Sequence, residues 1–317
     1  MKNLSFLFAA ILFWSCSDDP FKTTIAGNSK TLAGQTIYLK KYSHLDYMEE
    51  YMLDSTVVDS EGNFAFSLLN TEPALVTIDN RQRPPGTYMV LRDRPDHYYY
   101  SFCEKFFGFD PLFYVEQGKN YNIAHWNEKK DEVTYGDDRH NVLRDYYKSI
   151  NFRKFVDEQS ASGQQDPEKV WGQVSAHRDS ILTKLNFAQD LRNKSFENYL
   201  RTEIELGAIN EFLAWNYREN PNPMEEEQLE QILEAYNNRN WNPNSIELYK
   251  LTEWYISHQM NKQNGKNLYY YEPSTEKIAM AEKYANPRIR EKFVRNLEVL
   301  MERKEGTEMA ENNLNKN

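Results

Sequence analysis

The clearest structural signal in the chain is "STVVDSEGNFAFSL", residues 55–68. Two runs of residues with high strand propensity, 55–58 and 63–68, flank the tetrapeptide "DSEG". The side chain of Asp59 can accept hydrogen bonds from backbone N–H groups that follow it, and Gly62 can adopt a positive φ without steric cost. The stretch therefore predicts a β-hairpin with a four-residue connection.

Short runs in which apolar and polar residues alternate lie on both sides of this predicted hairpin. In "QTIYLKKY", Ile37 and Leu39 share one face of a strand, and the polar residues between them share the other. Further runs of this kind are "FKTTIAG", "PALVTIDN", "GTYMVLRD", "HYYYSF", "PLFYVEQGKNYNIAHW" and "DEVTYGDD". Several short strands with frequent turn signals indicate an antiparallel β-sandwich or open barrel over residues 21–136.

Beyond Gly136 the apolar residues recur at helical spacing instead. One stripe repeats every four residues: Phe196, Leu200, Ile204, Ala208 and Phe212. The phrases "DPEKV", "NPMEEE", "NPNSIEL" and "NPRIREKF" each place Asp or Asn directly before Pro. Such a side chain caps a helix, and Pro suits the first helical position, so helices are predicted to begin at Pro167, Pro223, Pro243 and Pro287. The acids 225–227 then belong to a helix N-terminus rather than to a metal site.

The predicted class is therefore α+β, with the boundary between 134 and 142. An N-terminal antiparallel β-sandwich or open barrel (21–136) is followed by an all-α helical domain (137–305) and a disordered tail (306–317). Within the helical domain, further helices are expected at 139–158, 244–260, 274–284 and 287–304.

The N-terminus has the pattern of a lipoprotein signal. Lys2 is followed by an almost wholly apolar segment, 4–14, and then by Ser15 and Cys16. The segment of about eleven residues is too short to cross a bilayer, which takes about 20, but it suits a signal peptide. We expect residues 1–15 to be removed and Cys16 to be acylated. The alternative is an ordinary signal cleaved near Ser15, with no lipid on Cys16.

The residues that follow Cys16 indicate where the protein resides. Residues 16–20 are polar and end in Pro, which predicts a solvated acidic tether. Ser17, Asp18 and Asp19 also resemble the export signal that follows the lipidated Cys in surface lipoproteins of Bacteroidota. We therefore expect an outer membrane lipoprotein exposed at the cell surface, with the periplasmic face as the second location.

Charge and composition exclude some partners. The formal net charge is −10, so the chain repels phosphate backbones, and no nucleic-acid partner is predicted. Apart from the signal, no apolar run approaches the length that spans a membrane. The expected partners are the membrane, through the lipid anchor, and an envelope protein or glycan.

A search for catalytic motifs finds none. No two of the six histidines are spaced i,i+3 or i,i+4, and there is no G-x-S-x-G, H-E-x-x-H or phosphate-binding glycine loop. We accordingly predict no catalytic residue, no metal and no cofactor. Acidic residues are abundant, so a glycosidase-like pair stays open, although no pair can be named.

Cys103 is the one cysteine left once Cys16 carries lipid. It lies in the aromatic stretch "YYYSFCEKFFGF", where a buried and unreactive thiol is expected. We predict that this protein does not itself exchange disulfides, because exchange requires an accessible thiolate and normally a second cysteine.

Two runs of consecutive tyrosines are candidate binding aromatics. They are Tyr98, Tyr99 and Tyr100, and Tyr269, Tyr270 and Tyr271. Successive residues of a strand alternate between faces, so each run should direct at least one ring outward. A sugar-binding platform is one interpretation, and packing against a sheet face or helix edge is the other.

The order of motifs over about residues 21–150 resembles a known family. The phrases are "I-A-G", "I-Y-L", "D-S-T-V-V-D-S-E-G-N-F-A-F", "V-E-Q-G-K-N-Y-N-I" and "G-D-D-R-H-N". They are similar to the N-terminal domain of unknown function, with its helical follow-on, in thiol:disulfide interchange lipoproteins of Bacteroidota. The matching residues are Ile25, Gly27, Tyr38, Leu39, Asp54, Ser55, Val58, Gly62, Phe64, Phe66, Glu116, Gly118, Ile123, Gly136 and Asn141.

The resemblance implies an envelope location and a β domain followed by helices. In the family a thioredoxin-like domain comes next, but this sequence contains no W-C-x-x-C. Its redox chemistry is therefore not carried over. Two functions stay open: a non-catalytic envelope lipoprotein that binds a protein or glycan, and an envelope enzyme or accessory to a separate thioredoxin-like oxidoreductase.

Overall fold

A computed structural model describes residues 21–43, 49–69, 72–80, 111–127, 132–149, 152–161, 163, 165–185, 194–265 and 271–314. Contacts divide these residues into two compact units. The first unit holds the described residues of 21–41, 52–80 and 111–141, and the second holds the others, including those from Val142 onward.

The strands form two four-stranded sheets, with the orders β4-β1-β7-β8 and β3-β2-β5-β6. Their bounds are β1 Lys22–Asn28, β2 Thr36–Ser43, β3 Glu49–Val57, β4 Asn63–Leu69, β5 Ala74–Asp79, β6 Leu112–Val115, β7 Asn120–Asn127 and β8 Glu132–Tyr135. A single 3-10 turn, Lys30–Leu32, connects β1 to β2 among the described residues.

The helices follow the strands. Their bounds are α1 Asp138–Ser149, α2 Phe152–Ala161, α3 Pro167–Leu185, α4 Lys194–Arg218, α5 Glu226–Asn237, α6 Ile246–Asn264, α7 Thr275–Tyr284 and α8 Arg290–Leu314. The predicted α+β class, with sheets first and helices after them, is confirmed.

The turn at 59–62 forms as predicted, but the predicted hairpin is wrong in its pairing. Asp59 accepts hydrogen bonds from the N–H groups of Glu61 (2.9 Å) and Asn63 (2.7 Å), and Gly62 has φ of 92°. However, β3 lies beside β2 in one sheet and β4 beside β1 in the other. The turn therefore carries the chain from one sheet to the next.

Close backbone packing explains the change of sheet. The N–H of Ser29 donates to the carbonyl of Gly62 (2.8 Å), and a Cβ at Gly62 would lie 2.9 Å from the backbone N of Lys30. Only glycine allows this approach. The connection from β1 to β2 and the connection from β3 to β4 therefore lie against each other where both pass between the sheets.

One strand pair departs from the antiparallel expectation. β1 pairs antiparallel with β4 but parallel with β7, with Ile25 opposite Tyr121. The alternating pattern of β1 indicated only which residues face the core, and alternation is the same for either strand direction.

Both sheets contribute to one hydrophobic core in the first unit. Ile37 and Leu39 are fully buried there, as their alternation predicted. The core residues are Ile25, Leu32, Ile37, Leu39, Val58, Phe64, Phe66, Ala74, Val76, Ile78, Phe113, Val115, Tyr121, Ile123, Trp126, Val133 and Tyr135. Strand β5 is buried on both faces, and its second face includes an ion pair between Lys40 and Asp79 (2.8 Å) that the sequence did not indicate.

The second unit confirms the predicted stripe on α4, all five members of which are buried. The helix starts agree less well. α3 begins at Pro167 with Asp166 accepting from Glu168 N–H (3.1 Å), as predicted. α5, α6 and α8 begin three residues after the predicted prolines, at Glu226, Ile246 and Arg290.

Two further helix bounds differ from the expectation. The segment 139–158 contains two helices, α1 and α2, rather than one. α8 continues to Leu314, past the expected end at 304 and into the segment 306–317. Five of the ten residues 305–314 are Glu, Met or Ala, which favour helix.

Candidate functional site

The second sheet has two outer strands, β6 and β3, which differ in how their outward backbone N–H groups are hydrogen-bonded. The backbone of an edge strand presents every second N–H group away from its neighbour. In β6 and the residue after it, these are the N–H groups of Leu112, Tyr114 and Glu116. Each donates to a side chain: Leu112 to the Tyr135 hydroxyl (2.6 Å), Tyr114 to Nε2 of His140 (3.2 Å), and Glu116 to the Tyr121 hydroxyl (2.8 Å). The β6 edge is thus closed by side-chain acceptors.

His140 occupies the middle of this closed edge and is almost fully buried. Its Nε2 accepts the backbone N–H, so the ring proton is on Nδ1, which donates to the Asp137 carboxylate (2.9 Å). The rings of Phe113 and Tyr121 each lie 5.2 Å from the imidazole, centroid to centroid. An Asp–His pair can serve as a general base, but here the Nε2 lone pair is already taken. The pair is therefore structural.

Strand β3 lies at the opposite edge, and the described residues provide no such closure there. In the described part of the chain it has one strand neighbour, β2. Its Ser55 N–H donates to the adjacent Asp54 side chain (2.8 Å), and residues 52–57 form no other side-chain hydrogen bond with described residues. Three large apolar side chains are exposed on it: Met52 by 59%, Leu53 by 40% and Val57 by 60%.

Few large apolar side chains are exposed in the described part of the chain. Among the described residues, the other large hydrophobic residues that are exposed are Phe21 and Leu69, at the start of β1 and the end of β4. All five lie on one of the first four strands or directly before β1. We define the β3 edge as the outward side of Met52–Val57, and it is the candidate interaction surface.

The second unit concentrates its polar groups around α6. Every residue of this helix from Ile246 to Asn261 is buried, including several charged ones. Glu247 accepts from Lys250 Nζ (2.6 Å) and from Asn210 Nδ2 on α4 (2.7 Å). The carboxylate of Glu203 accepts from Ser245 Oγ at the start of the helix, where the helix dipole favours negative charge. These charges are held by partners within the unit.

A second buried ion pair connects α6 to α7. Lys277 is fully buried and donates to the Glu253 carboxylate and to the backbone oxygen of Tyr271. Burial lowers the pKa of the Lys277 ammonium, and the carboxylate of Glu253 opposes that change. The Tyr271 hydroxyl donates to Asn261 Oδ1 (2.8 Å), so this member of the second tyrosine run is part of the helical packing.

His258 on α6 is the second buried histidine. Its Nδ1 lies 3.0 Å from the Tyr217 hydroxyl, and the Tyr217 ring stacks on Trp254 at 5.3 Å. Burial lowers the pKa of His258 below its ordinary value, with the carboxylates of Glu230 and Glu226 acting in the opposite direction. The imidazole is therefore neutral near pH 7. Its Nε2 has no hydrogen-bond partner among the described residues, but the ring is only 3% exposed and offers no access to a substrate.

The remaining predicted site residues lie outside the described residues. These are Cys16, Ser17, Asp18, Asp19, Tyr98, Tyr99, Tyr100, Tyr269 and Tyr270, together with Cys103. Within the residues that are described, no three His, Cys, Asp or Glu side chains group as metal ligands. In the same part of the chain, every helix is too short or too polar to traverse a bilayer.

Sequence reasoning missed the β3 edge. The strand itself was expected from "STVV", but exposure of Met52, Leu53 and Val57 depends on which strand lies beside β3, and the sequence assigned the wrong one. Comparison with protein-family models, with curated proteins and with solved structures found no match for this chain.

Proposed function

We propose that this chain is a non-catalytic lipoprotein of the cell envelope that acts as a binding or accessory module for a partner protein. The observation that carries the proposal is the β3 edge, which has no strand beyond it among the described residues and exposes Met52, Leu53 and Val57. Exposed edge strands invite pairing with another chain, and native proteins usually protect them. Such an edge, at the opposite side of the sheet from the closed β6 edge, is therefore suited to binding.

The buried histidines support the non-catalytic part of the proposal. Nε2 of His140 accepts a backbone N–H, and Nε2 of His258 is shielded from solvent. The buried carboxylates of Glu203, Glu247 and Glu253 are each bonded inside the helical unit. None of these groups can reach a substrate in this arrangement.

The location and the finer architecture are part of the same proposal. The segment 1–15, Cys16 and the acidic residues after it support a lipid anchor and an outer membrane address. The shared core and the separate strand orders support a two-layer β-sandwich in the first unit, because a closed barrel would have no edge strands. The motif order supports common ancestry with the Bacteroidota domain, without its redox chemistry.

Site-specific photo-crosslinking in living cells tests the binding role. A photoreactive amino acid is placed at Val57, and in a control strain at Leu69, which is 65% exposed at the end of β4. A defined crosslinked protein is expected from position 57 and not from position 69. Equal products from both positions, or none from position 57, would contradict the proposal.

The lipid anchor has its own test. Replacing Cys16 by Ala should move the protein from the membrane pellet to the soluble fraction, because the acyl chains would be lost. A Cys103→Ser variant serves as the control and should stay in the pellet. Retention of the Cys16→Ala protein in the membrane would contradict the anchor.

A further inference from the structure

One of the three contacts that close the β6 edge depends on a side chain that can gain a proton. Leu112 and Glu116 donate to tyrosine hydroxyls. The N–H of Tyr114, which lies between them, donates to Nε2 of His140 instead (3.2 Å). A phenol hydroxyl accepts at neutral and at acid pH, but Nε2 accepts only while it carries no proton. Since histidine ordinarily changes charge between about pH 8 and pH 5, the middle of this edge is the part that mild acid can alter.

The geometry fixes where an added proton goes. Nδ1 of the neutral ring already carries a proton, which it donates to the Asp137 carboxylate (2.9 Å), so a second proton attaches to Nε2. The ring then presents an N–H group to the N–H group of Tyr114, and the hydrogen bond between them is lost. Both residues are buried, with His140 exposed by 3% and Tyr114 by 1%. Because two donors cannot satisfy each other, the charged ring and the Tyr114 N–H have to separate.

Asp137 makes the charged ring attainable in spite of its burial. The carboxylate lies 2.9 Å from Nδ1 and also accepts the backbone N–H of His140 (3.0 Å). Although burial would raise the pKa of Asp137, that pKa lies below its ordinary value, so the carboxylate is ionised throughout this pH range. A neighbouring negative charge favours the imidazolium over the neutral ring. Protonation therefore exchanges the bond to Tyr114 for a stronger interaction with Asp137.

The other ionisable groups around the ring are of types that titrate elsewhere. The described ones come from β6, β7, β8, the start of α1 and the residues that join them: Tyr114, Glu116, Tyr121, Tyr135, Asp137, Asp138 and Arg139. The Tyr121 and Tyr135 rings lie 5.2 Å and 5.5 Å from the imidazole, and burial raises the pKa of Tyr121 further above its ordinary value. Phenol, carboxyl and guanidinium groups ordinarily titrate outside this pH range. His140 is therefore the group of this cluster that responds to mild acid.

We propose that His140 is a pH-sensitive latch on the β6 edge. The neutral imidazole closes the edge at Tyr114, and protonation of Nε2 releases the middle of the strand, while Leu112 and Glu116 keep their tyrosine acceptors. The response is local because one of the three acceptors titrates and the other two do not. This inference concerns the closed edge, and it does not depend on the binding role proposed for the β3 edge.

Amide hydrogen exchange of the full-length protein, resolved to single residues by NMR, tests the latch at about pH 7.5 and about pH 5. Each rate is compared with that of an unstructured chain at the same pH, which gives a protection factor. The protection factor of Tyr114 should fall about tenfold or more in acid, because its hydrogen bond is lost. Those of Leu112 and Glu116 should change much less. The nitrogen chemical shifts of the His140 ring should show Nε2 gaining its proton over the same pH range.

Three variants separate protonation from packing. His140→Gln has a side chain that does not titrate, so the protection factor of Tyr114 should be the same at both pH values, whether it is high or low. Asp137→Asn removes the charge that favours the imidazolium, so the ring titration and the loss of protection should both move to lower pH. His125→Gln is the matched control, since His125 lies on β7 of the same unit with its side chain 60% exposed, and this variant should leave the response of Tyr114 unchanged.

Four results would overturn the proposal. The first is full protection of Tyr114 at a pH where the ring nitrogens show the imidazolium, and the second is a ring that stays neutral down to about pH 5. The third is an equal loss at Leu112 and Glu116, which would mean that acid opens the whole first unit. The fourth is a loss that persists in His140→Gln, which would assign the response to another group. None of these results bears on crosslinking from Val57, so the latch and the binding role are tested separately.

Discussion

The two outer strands of the second sheet differ in whether side chains accept hydrogen bonds from their outward backbone N–H groups. On β6, Tyr135, His140 and Tyr121 accept three alternate N–H groups in succession. On β3, described side chains offer no such series, and apolar residues are exposed. Among the described residues, the β6 edge is thus closed by acceptors that arrive from β7, β8 and the start of α1. The described side chains near β3 provide no comparable set of acceptors.

The second unit provides a further contrast. Helices satisfy their own backbone groups, so a polar side chain buried between helices has mainly other side chains as partners. Lys277 with Glu253, and Lys250 with Glu247, follow this rule. In the first unit the acceptors on Tyr and His are directed at backbone N–H groups instead. Substitutions at Lys277, His140 and Tyr135 measure how much each arrangement contributes to stability.

The largest loss of stability is expected at Lys277, whose replacement removes the partner of a buried charge. Lys277→Met leaves the buried Glu253 carboxylate unpaired, and breaking such a pair costs about 3–5 kcal/mol. The free energy of unfolding, measured in urea by tryptophan fluorescence, should fall by that amount. The double variant with Glu253→Leu is the control and should recover much of the loss; a double variant as unstable as the single one would show that the loss came from packing.

The next largest effect is expected at the closed edge. His140→Phe keeps most of the ring volume but leaves the buried Tyr114 N–H without its acceptor, whereas Asp137 still accepts the backbone N–H of residue 140. An unsatisfied buried group costs about 1–3 kcal/mol, so a loss toward the upper end of that range is expected. Hydrogen exchange of the peptide 111–117 should accelerate accordingly. Unchanged protection of Tyr114 would contradict the closing role of His140.

Tyr135→Phe should have a smaller effect, because it removes one acceptor and little volume. Loss of the hydroxyl leaves the Leu112 N–H unpaired, at a cost of about 1–2 kcal/mol. Exchange at Leu112 should increase more than exchange at Glu116, which keeps its partner Tyr121. Tyr121→Phe is the matched variant and should show the reverse order; equal acceleration at both sites in both variants would argue against local closure.

A weaker, pH-dependent effect is expected at Asp137. Burial alone would raise the pKa of this carboxyl, but the hydrogen bonds from the ring and backbone N–H groups of His140, together with the charge of Arg139, bring it below its ordinary value. The folded state therefore prefers the ionised form, and its contribution is complete above about pH 4, where the unfolded carboxyl is ionised, and is lost as the pH falls through the folded pKa. Urea unfolding between pH 6 and pH 3 should show a smaller slope in Asp137→Asn than in the wild type. Identical slopes would contradict the assignment.

The smallest effect on stability is expected at the open edge. Met52→Thr and Val57→Thr retain strand-forming side chains at exposed positions, so unfolding should change by less than about 0.5 kcal/mol. Leu69→Thr, at a similarly exposed site, should behave alike. A loss as large as that in Tyr135→Phe would mean that Met52 and Val57 are covered in the folded protein and would remove the contrast between the two edges.

The observed helix starts show where the local sequence predicts the first residue of a helix correctly and where it does not. At Asp166-Pro167 the side chain caps the helix as expected, since both partners lie within one turn. In "NPNSIEL" and "NPRIREKF", Asn242 and Asn286 accept the N–H two residues on and form a turn before the helix. The amide of Asn286 also donates to the carbonyls of Asn237 and Arg239. A distant segment thus holds this asparagine outside the helix, which no local pattern indicates.

The sequence by itself determined the turn at 59–62, the faces of β2, the apolar stripe of α4 and the change from strands to helices near Gly136. Each depends on periodicity or on bonds between residues a few positions apart. Only the tertiary structure decided that β3 and β4 belong to different sheets, that Lys40 and Lys277 are buried with a carboxylate each, and that described side chains close the β6 edge but not the β3 edge. The physical reason is that strand alternation defines faces but not neighbours, and that a buried polar group is satisfied by whatever the fold brings next to it from far along the chain.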